Sequence, residues 1–323
     1  MASSPPHVVD DCRGVLRVLS DGTIVRTQNP SFLVPVVDDG SVEWKDVLFS
    51  PAPNALHLRL YRPRHDPADR LPVFFYFHGG GYCIGSRTWP NVQTYCLRLA
   101  SDLRALVVAP DYRLAPEHRL PAAIHDSFAA VEWLRSAADP WLAESADLAR
   151  VFISGDSAGG SIAHHLALRF GSPDGRAALS PVRIRGFVQL MPFFGGTQRT
   201  RSEEECPADA FLNRDLNDRY WRLSIPLGAT LDHPLVNPFG PESPDMQAAE
   251  LDPVLVVVGG KDLLRDRAVD YARRLRGWGK PVELAEYEGQ QHGFFTINPW
   301  SEPANELMDR IKRFMVECGS GSI

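Results

Sequence analysis

The residues most able to do chemistry lie in Gly155-Asp156-Ser157-Ala158-Gly159, which follows the apolar run RVFIS and precedes a small-residue helical pattern. A G-x-S-x-G string between a strand and a helix allows a sharp turn that exposes the serine hydroxyl. The string alone is compatible with an ordinary turn; its setting makes Ser157 a candidate nucleophile. Serine is weakly nucleophilic at neutral pH and needs a base, itself oriented by a third group. Asp262 follows the apolar run PVLVVVGGK, and His292 lies in EGQQHGFF after the run PVELAEYE. Their order after the serine, acid and then histidine, suits this type of turn. Asp266 is the rival acid, but it falls inside the next helical pattern. The alternatives are that Asp262 merely caps that helix and that His292 is a satisfied core histidine. The chemistry expected of such a trio is acyl transfer.

The stretch FFYFHGGGYCIGS, Phe74–Ser86, poses a second question, because three glycines directly follow an apolar strand. Acyl transfer generates an oxyanion that needs fixed hydrogen-bond donors. A glycine loop can present bare N–H groups, and the residue after the nucleophile supplies another. Gly80, Gly81 and Ala158 are the candidate donors, with His78 bracing the loop. A phosphate cradle is the rival reading. It lacks G-x-G-x-x-G spacing and a following G-K-[ST]. Gly81 is expected to face open cavity, so that a branched side chain there costs turnover more than stability.

These loops need a scaffold. LPVFFYF, ALVVAP, RVFISG, IRGFVQLMPF and PVLVVVGG are nearly continuous apolar runs, as expected of parallel strands covered on both faces. Helical patterns at about 92–102, 122–137, 158–170, 265–278 and 303–316 alternate with them. The alternation predicts a doubly wound α/β sheet with its reactive loops at the carboxyl ends of the strands. LRVLSDGTIVR carries Asp21-Gly22 between two strand-like runs, a hairpin signal. VEWKDVLFS and ALHLRLYRP read as edge strands. Two segments stand outside the alternation, residues 1–40 and 195–251; both are expected to act as lid or pocket wall within one domain. Tyr82, Phe193, Phe194, Trp221 and Phe294 are candidate aromatic pocket residues, each of which could equally be core.

Composition narrows the field. The 323 residues are 44% hydrophobic and 23% charged, with a formal net charge of −6. That balance offers no basic footprint for nucleic acid and no cationic face for anionic lipid. No apolar run approaches the roughly 20 residues of a membrane span. No signal peptide is read at the start, and a cytoplasmic location, with the nucleus as a second compartment, is expected. Cys12, Cys83, Cys96, Cys206 and Cys318 have no paired spacing and read as free thiols. His164 and His165 point different ways on a helix and make poor metal ligands. No metal and no cofactor is expected.

The motifs HGGGYCIGS, APDYRLAPEHRLPAA, GDSAGGSIAHHLA and HGF occur together in the order and spacing of the hormone-sensitive-lipase-like α/β hydrolases. Over about residues 9–316 the chain resembles the plant carboxylesterases related to the gibberellin receptors. Within them it is most similar to the carboxylesterase 15 type, implicated in strigolactone breakdown, through DCRGVLRVLSDGTIVR, PVRIRGFVQLMPFFGG, YWRLSIPLGATLDHPLVNPFGP and LLRDRA. The resemblance implies an eight-stranded α/β-hydrolase core, a triad of Ser157, Asp262 and His292, and a small-molecule ester substrate. Two other functions are open on the same scaffold, a hormone receptor without turnover and a lyase or dehydratase. The receptors replace the triad histidine, whereas this chain keeps His292.

Overall fold

Every one of the long apolar runs becomes a strand of one sheet. The computed structural model describes residues 5–27, 34–64 and 70–319. Residues 1–4 and 28–33 of the expected N-terminal segment lie outside the described residues. The strands are β1 (Val8–Cys12), β2 (Leu16–Leu19), β3 (Ile24–Arg26), β4 (Val42–Ser50), β5 (Leu56–Pro63), β6 (Leu71–Phe77), β7 (Leu106–Pro110), β8 (Ala146–Asp156), β9 (Ile184–Leu190), β10 (Val254–Gly259) and β11 (Val282–Tyr287). The helices are α1 (Pro90–Leu103), α2 (Ala122–Trp133), α3 (Pro140–Ser145), α4 (Ala158–Gly171), α5 (Pro173–Leu179), α6 (Arg201–Glu204), α7 (Arg214–Ser224), α8 (Arg265–Gly277), α9 (Phe294–Ile297) and α10 (Glu302–Gly319).

The main sheet has eight strands in the order β4-β5-β7-β6-β8-β9-β10-β11. β5 is antiparallel to both of its neighbours, and all other pairs are parallel. Burial explains the sequence pattern. β7 and β10 are buried along their whole length, β6 and β9 all but so, whereas the edge strands β4 and β11 alternate with exposed positions. Central strands are covered by helices on both faces and need apolar side chains at every position; edge strands do not. The fold is thus the expected mostly parallel α/β sheet.

β1, β2 and β3 form a separate antiparallel sheet. The Asp21-Gly22 turn closes its second hairpin: Gly22 N–H donates to Leu19 O at 2.9 Å, and Gly22 takes φ 85°. Polar contacts fasten this small sheet to the body. Arg26 forms a two-pronged pair with Glu117 at 2.7 and 2.6 Å and also donates to the carbonyls of Cys83 and Ala115. Arg219 on α7 donates to Asp11 O at 2.6 Å, and Asp10 pairs with Arg219 and Arg222. The N-terminal sheet and the inserted α7 are therefore joined to each other.

Candidate active site

β8 ends at Asp156 and α4 begins at Ala158, so the turn between them is Ser157 alone. Ser157 has φ 53° and ψ −115°, a conformation non-glycine residues avoid. Such strain costs on the order of 1–3 kcal/mol and persists only where the surroundings enforce it. Here Ser157 N–H donates to Leu190 O at 2.9 Å, while its carbonyl accepts from Phe193 N–H at 2.9 Å and Ser161 N–H at 3.1 Å. Gly159 lets α4 close onto β6: a Cβ there would lie 1.9 Å from Phe77 O. The motif's small residues are thus required by the packing of helix on strand.

The loops after β10 and β11 bring acid and histidine together. Lys261 N–H donates to Gln290 O and Gly260 N–H to Tyr287 O, both at 2.9 Å, which ties the two loops side by side. His292 Nδ1 lies 2.8 Å from Asp262 Oδ2. The other carboxylate oxygen of Asp262 accepts from Leu264 N–H at 2.9 Å, so the residue also serves the start of α8. Both side chains are buried. Asp266 sits in the first turn of α8 and is engaged instead by Ser202 N–H at 2.8 Å and by Arg265.

The glycine loop follows β6. Gly80 and Gly81 have φ of 116° and 58°, and Gly80 O accepts from Cys83 and Ile84 N–H at 3.0 Å each, which folds the loop into a turn. Among the described residues no hydrogen bond takes up the N–H of Gly80, Gly81 or Ala158. His78 is buried and stacks on Tyr112 with ring centroids 4.4 Å apart; Tyr112 Oη donates to His78 O at 2.7 Å. His78 Nδ1 is also 2.8 Å from Gly79 O, so this side chain braces the loop. Gly81 borders the cavity through its backbone, but a side chain there would not point into open space. It is buried, and a Cβ there would lie 2.3 Å from Tyr220 Cγ. The glycine is needed because α7 presses on the loop, which corrects the expectation drawn from sequence.

Ser157, His292, Gly79, Gly80 and Gly81 line one cavity. Its volume is about 70 Å³, so the space is narrow. Its aromatic walls are Tyr76, Trp89, Phe211 and Tyr220, joined by Ile84, Leu212 and Leu216. The N-terminal sheet contributes Arg13, whose guanidinium lies 4.0 Å above the Phe211 ring. The five aromatics expected from sequence are not in this wall. Phe193 stacks on Trp221 at 4.0 Å with Tyr82 beside both; Phe194 packs on His164 and Tyr271, and Phe294 on Tyr287 and Phe295. All five are buried in ring-on-ring contacts of the core rather than in the cavity wall.

Comparison with known proteins bears on this arrangement. The alpha/beta hydrolase fold family matches residues 74–296. The chain belongs to that family. It is 36% identical over 317 residues to a 2-hydroxyisoflavanone dehydratase of Glycyrrhiza echinata, covering 94% of each chain. A probable carboxylesterase 6 of Arabidopsis thaliana is 37% identical over 301 residues, covering 90% of this chain and 85% of its own. A gibberellin receptor of the same plant is 35% identical over 288 residues, covering 84% and 80%. Among solved structures, an α/β hydrolase enzyme from the metagenome of Lake Arreo superposes with a TM-score of 0.73 at 29% identity, covering 89% of this chain and 86% of that one.

In this hydrolase the sequence motifs missed several cavity residues. Asp156, inside the serine motif, lies deep in the fold with part of its surface open to the cavity. Burial pushes its carboxyl above the ordinary range, opposed by hydrogen bonds from Tyr76 and Gly79 and by the nearby histidines. Arg13, Trp89, Phe211 and Tyr220 carried no motif at all. No group of three or more His, Cys, Asp or Glu side chains able to hold a metal ion occurs among the described residues. Nor is any helix among them long and apolar enough to cross a membrane.

Proposed function

We propose that this hydrolase is a serine carboxylesterase acting on small, ring-containing esters. The observation that carries the reading is the shared cavity. A strained serine turn, the Asp262-bonded His292 and three unbonded N–H groups all belong to loops at the carboxyl ends of the strands. In this reading Ser157 Oγ attacks the ester carbonyl. With Nδ1 held by Asp262, His292 takes the serine proton on Nε2. The oxyanion is met by the N–H groups of Gly80, Gly81 and Ala158, which stabilise charge as it develops. His292 then protonates the leaving alcohol, and water attacks the acyl-enzyme by the same route in reverse. The test is a short p-nitrophenyl ester with mass spectrometry of the trapped protein. An adduct on Ser157 supports the reading, and hydrolysis without one removes it.

The narrowness of the cavity and its ring walls favour a rigid ligand of modest size over a long acyl chain. A strigolactone-type ester or butenolide is such a ligand, and the proposal extends to that class. It predicts a higher kcat/KM for a strigolactone analogue than for long-chain p-nitrophenyl esters. Inertness toward the analogue with brisk hydrolysis of simple acetates would leave the esterase and remove the hormone class. Relatives named as a dehydratase and a gibberellin receptor keep two other functions in view. Turnover of an ester through a Ser157 adduct is the result that separates hydrolysis from both.

A further inference from the structure

The two halves of the proposed oxyanion site come from different strands. Gly80 and Gly81 follow β6, whereas Ala158 follows β8. β6 and β8 are parallel neighbours, and their pairing ends at Phe77 opposite Gly155. Beyond that pair the sheet ladder no longer fixes the loops relative to each other. Besides the packing of Gly159 on Phe77 and His78, Asp156 crosses the gap. Its Oδ1 accepts from Tyr76 Oη at 2.6 Å, and its carboxylate accepts the N–H of Gly79, the residue before the donor glycines. The fit is tight, since a Cβ on Gly79 would lie 2.4 Å from Asp156 Oδ2. Asp156 is covalently joined to Ser157 on its other side, so one side chain links both loops.

We propose that Asp156 is a positioning residue that sets the distance between the Gly80/Gly81 donors and the Ser157–Ala158 turn. This rests on the esterase reading of the same cavity. The Gly79 contact has fixed polarity, whereas the Tyr76 hydroxyl can donate or accept, so an asparagine can keep both contacts. Its oxygen accepts Gly79 N–H while its amide donates to Tyr76 Oη. An alanine can keep neither. The role is therefore separable from charge and from bulk.

The experiment compares the parent with Asp156→Ala, Asp156→Asn and Tyr76→Phe, using p-nitrophenyl acetate and thermal unfolding. A shift of donors by about 1 Å costs on the order of 10²-fold in rate. Asp156→Ala should lose about that in kcat with KM changed only a few-fold. Asp156→Asn should recover to within about 10-fold of the parent, and Tyr76→Phe should lose several-fold. An Asp156→Ala protein with the parent's kcat overturns the proposal. So does an Asp156→Asn protein that folds normally yet is as slow as the alanine variant, because charge rather than hydrogen-bond geometry would then be responsible. If Asp156→Ala does not fold, a Tyr76→Phe protein at full parental kcat overturns it equally. A parent that hydrolyses no ester is a failure of the esterase reading, and the parent's own rate reports it separately.

Discussion

Gly81→Ala tests the loop geometry most directly, because the added methyl has only one place to go. Its carbon would lie 2.3 Å from Tyr220 Cγ and 2.6 Å from Tyr220 Cβ and Cδ2. Carbon atoms rest about 3.5–4.0 Å apart, so loop or helix must yield by more than about 1 Å. The backbone adds a second cost. Gly81 has φ +58°, and a left-handed conformation costs a non-glycine residue about 1–2 kcal/mol. Overpacking adds about 1–3 kcal/mol. Their sum is a destabilisation of about 2–5 kcal/mol, or a melting point lower by about 3–8 °C in a chain of this length.

The rate should fall further than the stability. If the Gly81 N–H is one of the oxyanion donors, displacing it forfeits about 10²–10³ in kcat. The assay is kcat/KM on a short p-nitrophenyl ester beside a calorimetric melting curve. Tyr220→Ala does not rescue the variant fully, because alanine keeps the Cβ at 2.6 Å. A Gly81→Ala protein that melts with the parent refutes the packing argument. One that melts early yet turns over normally refutes the assignment of Gly81 as a donor.

The other expectations are simpler. Ser157→Ala should fold normally and lose on the order of 10⁴ or more in turnover; near-parental activity would mean another nucleophile. Asp262→Asn should lose about 10⁴ in kcat, whereas Asp266→Asn should stay close to the parent, since Asp266 faces Ser202 and Arg265 rather than His292. The reverse order would exchange their roles. Burial lowers His164 well below the ordinary histidine value and takes its neighbour His165 down to about 4. The unfolded chain therefore binds more protons than the folded one as pH falls below about 6.5, and stability should decline by up to about 1.4 kcal/mol per pH unit per group until the folded groups also protonate. Unfolding curves between pH 7 and 4.5 check this, with a shallower slope expected for His164→Gln; an identical slope would place the proton uptake elsewhere.

The fold was legible because burial imposes a pattern on sequence. A strand covered on both faces has little room for charge, so β6, β7 and β10 carry none and β9 only Arg185 near its start, and they announce themselves as apolar runs. The carboxyl ends of β8, β10 and β11, read with the serine motif, then point to Ser157, Asp262 and His292. The short helices α3, α5, α6 and α9 left no such trace, being four to seven residues long. Side-chain caps open the first three, as with the Thr200–Glu203 reciprocal pair that opens α6. A signal that short does not stand out as a period.

The walls of the cavity were illegible for a geometric reason that α7 makes plain. Leu216 and Tyr220, four residues apart, face the cavity. Trp221, one residue on, is turned by about 100° and stacks on Phe193 in the core. Both aromatics are buried, and both lie on the one apolar face of α7 that they share with Leu216 and Leu223. From the chain alone, Tyr220 and Trp221 are equivalent: adjacent, large and flanked by polar neighbours. What distinguishes them is the rotation of α7 about its axis, and that is set from outside the helix. Arg219 is held by Asp11 O and Asp10, and Arg222 by Asp10, both on β1. Those contacts turn the 219–222 face toward the N-terminal sheet, which leaves Tyr220 against Gly81. Identifying which ring faces the cavity therefore required knowing where a strand some 200 residues earlier had docked.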